Sequence, residues 1–188
     1  MKSPHIGILA LQGSFAEHGA MLDRLGQEYV WVRSGDDLSG LTHLIIPGGE
    51  STTLLKLLKN SGMWSLIKKS VQRKELKIMG TCAGAILCEK LGMRIRVSRN
   101  AYGAQQSSFT ADLDSSRFPG LRGVFIRAPK ISVRAHCNTP LLATYKDEPV
   151  MVEQDNFLVM SFHPELAGEE RVYEYFLNCH YEELGNIS

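Results

Sequence analysis

A cysteine between small residues follows an apolar run near the middle of the chain. Residues 76–87 read as a short apolar strand, the turn Gly80-Thr81-Cys82-Ala83-Gly84, and an apolar helical stretch. Small residues two positions on either side of a nucleophile permit the sharp strand-to-helix turn called a nucleophile elbow. The helix N-terminus stabilises a thiolate there, and the N–H of Ala83 can help to hold an oxyanion. The spacing favours a nucleophilic Cys82 over a buried structural cysteine.

A thiol nucleophile needs a base that a third group orients, and the segment Ser161-Phe162-His163-Pro164-Glu165-Leu166 supplies a candidate pair. In an extended segment, residues two apart lie on one side, and Pro164 restrains the backbone between them. Glu165 is therefore predicted to orient the imidazole of His163. A surface histidine beside a solvated glutamate is the alternative for this tripeptide alone. With the elbow, the pattern predicts a Cys-His-Glu triad.

A glycine-rich turn, residues 47–53, follows a buried strand and opens a helix. Gly48 and Gly49 give flexible peptide units, and free N–H groups collect at the positive helix end. This predicts an anion or oxyanion cradle, which is compatible with a plain turn capped by Ser51. Neither a P-loop pattern nor G-x-G-x-x-G is present, so nucleotide binding has no support.

Short strands and helices alternate in the first half of the chain, which is typical of β-α-β units. The predicted strands are 6–11, 29–33, 44–47 and 76–79, and the predicted helical segments are 14–25, 51–73 and one opening near Cys82. Continuous apolar strands between helices indicate a sheet covered on both faces. We predict an α/β fold: a doubly wound, mostly parallel sheet of flavodoxin-like type with helices on both faces.

The second half is richer in strands and ends in an amphipathic helix. Strands are predicted at 95–98, 123–127, 141–145, 149–153 and 157–162, with a hairpin around 154–156 and a helix from about 169 to 183. Val172, Tyr175, Phe176 and Cys179 follow a helical stripe, so Cys179 is predicted to be a core residue rather than a reactive thiol.

Composition excludes several classes of function. The 188 residues are 44% hydrophobic and 22% charged, as in one soluble domain spanning 1–188. The net charge of +1 without a basic run argues against nucleic-acid and anionic-membrane partners. No stretch is long enough for a membrane span, and the first apolar run lacks a signal cleavage site. Four separated cysteines argue against a disulfide framework and a structural zinc site, so we expect a cytoplasmic protein. No cluster of possible ligands appears in the sequence, so we expect neither a metal nor a cofactor.

The elbow and the His-Pro-Glu segment together resemble the class I, triad-type glutamine amidotransferases. Four further segments resemble the PdxT/SNO family, the glutaminase subunits of pyridoxal 5′-phosphate synthase, and the likeness runs nearly end to end. These segments are Gly7–Gly13 with Glu17-His18, Pro47-Gly48-Gly49-Glu50-Ser51-Thr52, Arg99-Asn100-Ala101-Tyr102-Gly103 with Gln105, and Phe125-Ile126-Arg127-Ala128-Pro129.

The resemblance implies a role for each matching residue. It makes Cys82 the nucleophile that forms a glutamyl thioester, His163 the general base and acid, and Glu165 its orienting partner. It assigns glutamine binding to Gly49, Glu50, Ser51, Arg99, Ile126 and Arg127, and the oxyanion site to Gly48, Gly49 and Ala83.

The resemblance also implies a partner. In this family the glutaminase has almost no activity alone. Docking to a (β/α)₈-barrel synthase subunit in a large hetero-oligomer activates it, and the synthase subunit receives the ammonia. Gln12 matches the segment near that interface, and we expect it to organise the Gly48-Gly49 peptides on docking. The sequence departs from the family pattern at two places. Ala104 stands where the family usually has a basic residue, and the stretch at residues 87–91, after the nucleophile, contains fewer residues than the family pattern.

Two other readings share part of this pattern. A PfpI-like cysteine-elbow hydrolase or thioesterase would have the same sheet and elbow, but it does not account for Pro-Gly-Gly-Glu-Ser together with His-Pro-Glu-Leu. A non-catalytic partner subunit that retains the fold has no need of an intact Cys82, His163 and Glu165. Selective labelling of Cys82 by a glutamine-mimicking electrophile distinguishes the glutaminase from both.

Overall fold

A computed structural model describes residues 4–99, 108–133 and 139–178. The expectations for residues 100–105 and for Cys179 lie outside this part of the chain. The first half contains β1 (Ile6–Leu9), α1 (Phe15–Arg24), β2 (Tyr29–Val32), a 3-10 helix (Asp36–Leu38), β3 (His43–Ile46), α2 (Ser51–Asn60), α3 (Met63–Gln72), β4 (Lys77–Thr81) and α4 (Ala83–Leu91). The predicted alternation of strand and helix is confirmed.

The second half contains β5 (Ile95–Ser98), β6 (Ser108–Asp112), β7 (Arg122–Ile126), β8 (Lys130–Val133), β9 (Leu141–Tyr145), β10 (Glu148–Gln154), β11 (Phe157–Met160), α5 (Pro164–Ala167) and α6 (Glu170–Asn178). The hairpin prediction is correct, because β10 and β11 pair antiparallel from Gln154 and Phe157 onwards. Strands β6 and β8 were not predicted. They belong to two small antiparallel pairs, β6 with β7 and β5 with β8.

A seven-stranded sheet in the order β2-β1-β3-β4-β11-β10-β9 forms the centre of the fold. Neighbours are parallel from β2 to β11, and β10 is antiparallel to both of its neighbours, β11 and β9, so β10 alone runs against the other six strands. From β1, the chain first adds β2 on one side and then adds β3 and β4 on the other side, so the direction of winding changes at β1. In such sheets, ligands bind outside the carboxyl ends of the strands, next to this reversal. The topology therefore predicts a site made by the segments after β1, β3, β4 and β11.

Apolar side chains cover both faces of this sheet. On β3, Leu44 and Ile46 join one buried cluster, whereas Ile45 points into the other. Helices α2, α3 and α4 pack on the first face, and α1 and α6 pack on the second. Since successive strand residues face opposite sides, strands buried on both faces need continuous apolar runs. The predicted doubly wound architecture is confirmed.

The single helical segment expected over 51–73 is two helices. Helix α2 ends at Asn60, and α3 begins after Gly62, whose φ of 75° is left-handed. Glycine adopts this conformation without the steric cost that a Cβ brings, so it allows the chain to change direction. The shorter stretch after the elbow gives a complete α4, which ends at Leu91 and is followed by Gly92 with a φ of 124°.

No helix in the described part of the chain is long and apolar enough to cross a membrane.

His43, the first residue of β3, is a buried histidine outside the candidate site. Its ring packs edge-on against Phe176 with centroids 5.1 Å apart. Burial, together with the nearby charge of Lys77, lowers the pKa of His43 to about 4. Because the unfolded-state value is near 6.5, the unfolded chain binds more protons between these two pH values. Stability is therefore complete above about pH 6.5 and falls as the pH drops towards 4.

His43→Phe is expected to remove the share of the acid-dependent loss that His43 causes, about 2 kcal/mol between pH 7 and pH 5, and to leave the share of His18, another buried histidine with a lowered pKa. Phenylalanine keeps the ring contact and cannot take up a proton. Urea unfolding at the two pH values measures the loss for each variant. The exposed His5→Gln change is the control and should keep the original loss. An equal loss in His43→Phe would show that another group is responsible.

Candidate active site

Cys82 lies at a sharp turn between β4 and α4. Its backbone has φ 48° and ψ −108°, a strained combination that non-glycine residues rarely adopt. Strain of this kind persists where the surrounding fold imposes it, and it is frequent at functional sites. The Sγ of Cys82 lies 3.7 Å from the carbonyl oxygen of Ile126. The elbow predicted from the glycine spacing is present.

The two flanking glycines are required by close contacts. A Cβ on Gly84 would lie 2.2 Å from the carbonyl oxygen of Ile46 on β3, where no backbone atom can give way. A Cβ on Gly80 would lie 2.6 Å from Cys88 Sγ and 3.0 Å from the backbone of Gly84. Glycines at these positions let α4 begin tightly against the sheet. Their spacing was therefore a reliable sequence signal.

His163 and Glu165 follow β11, the strand next to β4. The parallel register places Met160 opposite Thr81, so the chain leaves both strands at the same edge of the sheet. His163 Nδ1–H donates to Glu165 Oε1 over 2.6 Å, and both side chains are buried. The alternative of a solvated surface pair is therefore wrong.

The local geometry of this pair differs from the expected extended segment. His163 precedes the short helix α5, and Glu165 lies in its first turn, after Pro164. Only His163 has extended backbone, with φ −108° and ψ 93°. The contact arises because the helix turns Glu165 back towards His163, and proline suits the first helical turn since its missing N–H would have no helical partner.

The charges in this cluster favour a protonated His163. Burial alone would lower its pKa, but hydrogen bonds to Cys82 and Glu165 and their negative charges outweigh burial and raise the pKa to about 10. Burial acts to raise the pKa of Glu165, whereas His18 and His163 lower it on balance. A protonated His163 beside Cys82 is placed to donate a proton to a leaving group.

The glycine turn after β3 meets the elbow directly. A Cβ on Gly48 would lie 2.4 Å from His163 Cε1 and 3.2 Å from Cys82 Cβ, so a side chain here would collide with the nucleophile and the base. The N–H of Gly48 donates to Thr81 Oγ1 over 3.1 Å. It is therefore engaged within the protein, which corrects the expectation that Gly48 supplies an oxyanion donor. Its role is to permit the close approach.

Two expected donors remain for an oxyanion. Ala83 is the first residue of α4, and its N–H therefore has no acceptor within the helix. Gly49 has a φ of 157° and lines the same pocket as Ala83. The Gly48 carbonyl accepts from the N–H of Ser14 over 3.0 Å, which fixes the orientation of the peptide between Gly48 and Gly49.

A cavity of about 660 Å³ opens above Cys82. The predicted substrate residues all line it: Gly49, Glu50, Ser51, Arg99, Ile126 and Arg127. The Arg99 guanidinium donates to Ser51 Oγ over 2.6 Å and to Thr52 Oγ1 over 3.0 Å. The cavity is large enough to admit an amino acid, and an arginine held at its rim provides a charged partner for a carboxylate.

Glu50, rather than Ser51, caps α2. Its carboxylate accepts from the N–H groups of Thr52 and Thr53 over 3.0 and 2.6 Å. These hydrogen bonds, led by those from Thr53, lower the pKa of Glu50 to about 2. Ser51 is the first helical residue instead. The Glu50 carboxylate therefore stays ionised at the pocket rim.

Gln12 lies behind the glycine turn and does not line the pocket. Its Oε1 accepts from the N–H of Glu50 over 2.9 Å. A Cβ on Gly49 would lie 2.6 Å from the same oxygen. The Gln12 side chain therefore supports Gly49 from outside and holds the following peptide.

Four polar residues of this site were not singled out for a role in the sequence: Ser14, His18, Thr81 and Tyr173. Ser14 Oγ donates to Glu165 Oε1 over 2.8 Å. His18 lies on the buried side of α1 with Met21 and Leu22. This i, i+3, i+4 pattern was the available signal, because a histidine on a buried helix face must find polar partners.

Comparison with solved structures gives the class of protein. A structure described as "Crystal structure of glutamine amidotransferase" superposes with a TM-score of 0.86 at 44% identity, over 92% of this chain and 96% of the other. The "Structure of PurLQS from Thermotoga maritima" shares the fold alone, with a TM-score of 0.71 at 19% identity. With the cysteine elbow and the His-Glu pair, the fold is that of the class I glutamine amidotransferases.

The family is narrower than this class. The model of the SNO glutamine amidotransferase family matches residues 8–182, and the chain belongs to this family. "Pyridoxal 5'-phosphate synthase subunit PdxT" of Thermosipho africanus is 42% identical, over 92% of this chain and 97% of the relative. The protein of the same name from Thermus thermophilus is 44% identical, over 92% and 95%.

Proposed function

We propose that the protein hydrolyses L-glutamine to L-glutamate and ammonia as the glutaminase subunit of pyridoxal 5′-phosphate synthase. The observation that carries the proposal is the convergence of Cys82, His163 and Glu165 at a cavity that Cys82 and His163 line and that is large enough for glutamine. Membership of the SNO family and the names of the relatives support it. They favour this function over a PfpI-like hydrolase, and the intact triad argues against a non-catalytic subunit.

The first half-reaction forms a thioester. The Cys82 thiolate attacks the side-chain amide carbon of glutamine, a C–S bond forms, and the carbonyl electron pair moves to oxygen. The N–H groups of Gly49 and Ala83 stabilise this oxyanion. His163 then donates its proton to the amide nitrogen, the C–N bond breaks, and ammonia leaves. The product is a glutamyl thioester on Cys82.

The second half-reaction restores the enzyme. The now neutral His163 takes a proton from water, the resulting hydroxide attacks the thioester carbon, and the C–S bond breaks. Glutamate leaves, and Cys82 returns to the thiolate beside a protonated His163. Glu165 stabilises the imidazolium of His163 whenever it forms, and it keeps the Nε2 atom of His163 turned towards Cys82. This chemistry needs no metal or cofactor.

Arg99 and the pocket rim orient the substrate. We assign the α-carboxylate of glutamine to Arg99, because the Ser51 and Thr52 hydroxyls hold the guanidinium in place. The α-ammonium group is assigned to Glu50 and to the exposed backbone at Ile126 and Arg127. Arg127 has a φ of 44°, so its peptide turns sharply beside the pocket. The side-chain amide then faces Cys82.

The proposed partner is a (β/α)₈-barrel synthase subunit that receives the ammonia. The test measures glutamate release from L-glutamine by the protein alone and with that subunit. Strong activation by the barrel supports both the reaction and the partner. Glutamate release without any activation would refute the partner, and no release under either condition would refute the glutaminase.

Gln12→Ala is expected to lower the activated rate about tenfold, because the loss of one hydrogen bond to the Glu50 N–H loosens the Gly49 peptide. Docking to the barrel should be unchanged, as measured by co-sedimentation. Gln27→Ala is the control, since its side chain bonds only weakly to the Leu25 carbonyl at 3.4 Å. A Gln12→Ala variant that docks and works at the full rate would remove this role.

A further inference from the structure

His18 is buried directly behind the triad carboxylate. Its Nε2 lies 3.6 Å from Glu165 Oε1 and 3.2 Å from Thr81 Oγ1, and its Nδ1 lies 2.6 Å from the Tyr173 hydroxyl. The His18 and Glu165 side chains have no exposed surface. His18 does not line the glutamine pocket. It is therefore placed to act on Glu165 without touching the substrate.

The protonation of His18 follows from its surroundings. Burial outweighs the opposing charge of Glu165 and lowers the pKa of His18, so the ring is neutral near pH 7. Burial also raises the pKa of Tyr173, whose hydroxyl keeps its proton. A neutral imidazole has one donor and one acceptor nitrogen. With the Tyr173 hydroxyl donating to Nδ1, the Nε2–H faces Glu165 and Thr81.

Glu165 has few other restraints. Its Oε1 accepts from His163 and Ser14, whereas its buried Oε2 has no hydrogen-bond partner in the described part of the chain. The carboxylate is thus held through one oxygen. An N–H dipole at 3.6 Å from that oxygen contributes to fixing it in an interior of low dielectric constant.

Thr81 connects the same histidine to the oxyanion turn. Its Oγ1 accepts the N–H of Gly48 and faces His18 Nε2, and the next residue is Cys82. His18 therefore contacts both the orienting carboxylate of the triad and the threonine that anchors the glycine turn.

We propose that His18 is a positioning residue: it holds Glu165 and the Thr81 anchor of Gly48 in a fixed relation, with Tyr173 holding its other nitrogen. The inference rests on the proposed glutaminase function and extends it. Because His18 lies outside the pocket, its loss affects turnover and not the binding of glutamine.

The test compares two variants that keep different halves of the imidazole. The amide nitrogen of His18→Gln reaches the position of Nε2, whereas that of His18→Asn reaches only the position of Nδ1. In the complex with the barrel subunit, we expect His18→Asn to lower kcat roughly 10- to 100-fold at unchanged KM, and His18→Gln to stay within about threefold of the unmodified protein. A merely structural role predicts equal losses that follow the losses of thermal stability.

Tyr173→Phe provides a second variant if both substitutions at His18 prevent folding. It keeps the ring in the core and removes the hydroxyl that bonds Nδ1, so kcat should fall several-fold at unchanged KM. Full activity in Tyr173→Phe and His18→Asn, or equal losses in the two His18 variants, would overturn the inference. If the unmodified complex releases no glutamate, the proposed function itself fails.

Discussion

Cys82→Ala is expected to lower glutamate release by at least about 10⁴-fold, because Cys82 is the only cysteine among the described residues that line the pocket. The fold should persist, because alanine is smaller than cysteine and the close contacts of the flanking glycines, Gly80 and Gly84, are unchanged. Coupled detection of glutamate, in the presence of the barrel subunit, measures the loss. The variant should still dock.

Cys88→Ala is the matched control on the same helix. Cys88 is fully buried, and burial raises the pKa of its thiol, so it has no access to substrate and little thiolate. This substitution should leave turnover within about twofold and reduce stability by about 1 kcal/mol through lost packing. If Cys82→Ala kept more than a few per cent of the activity, the nucleophile would have to be another group.

Glu165→Gln is expected to lower kcat about 10³- to 10⁴-fold with little change of KM, as occurs when the carboxylate of a catalytic triad becomes an amide. The amide lacks the charge that stabilises the imidazolium, and its NH₂ group can turn His163 into the wrong tautomer. The 2.6 Å hydrogen bond between His163 and Glu165 is therefore replaced by a weaker one or by a repulsive contact.

The same substitution should change the pH dependence. Because the charge of Glu165 helps to raise the pKa of His163 to about 10, its removal lowers that pKa. The imidazolium is the proton donor to the leaving amide nitrogen, so the alkaline limb of kcat/KM should move to lower pH. Glu170→Gln, at an exposed position in α6, is the control and should leave rate and profile unchanged. An unmoved alkaline limb in Glu165→Gln would contradict the assigned role.

The local parts of the site were predictable from the sequence. The elbow depends on contacts of Gly80 and Gly84 with α4 and β3, and those contacts follow whenever a strand turns sharply into a helix. His163 and Glu165 are close in the chain, so their pairing was also foreseeable, although through a short helix rather than an extended segment. Cys82 and His163 lie close together because β4 and β11 are neighbours in parallel register. The sequence predicted a mostly parallel sheet, but it did not predict that these two strands are neighbours.

The remaining features depend on contacts distant in sequence. Strand β6 alternates exposed and half-buried residues from Ser108 to Asp112, so it carries little apolar signal and becomes a strand by pairing with β7. The Gly48 N–H is not available to bind an oxyanion, because it donates a hydrogen bond to Thr81 at the end of another strand. His18 meets Glu165 only when α1 packs beside α5. A local pattern such as the buried helix face of His18 indicates that a polar partner is needed, but it does not identify that partner.

The most direct test of the central claim is the labelling of the protein with a glutamine-mimicking electrophile, followed by intact mass and peptide mapping. We predict one adduct per chain, on Cys82, with Cys88 unmodified and with protection by L-glutamine but not by D-glutamine. Labelling that L-glutamine does not suppress, or an adduct on any residue other than Cys82, would contradict a glutamine-specific thiol in this pocket.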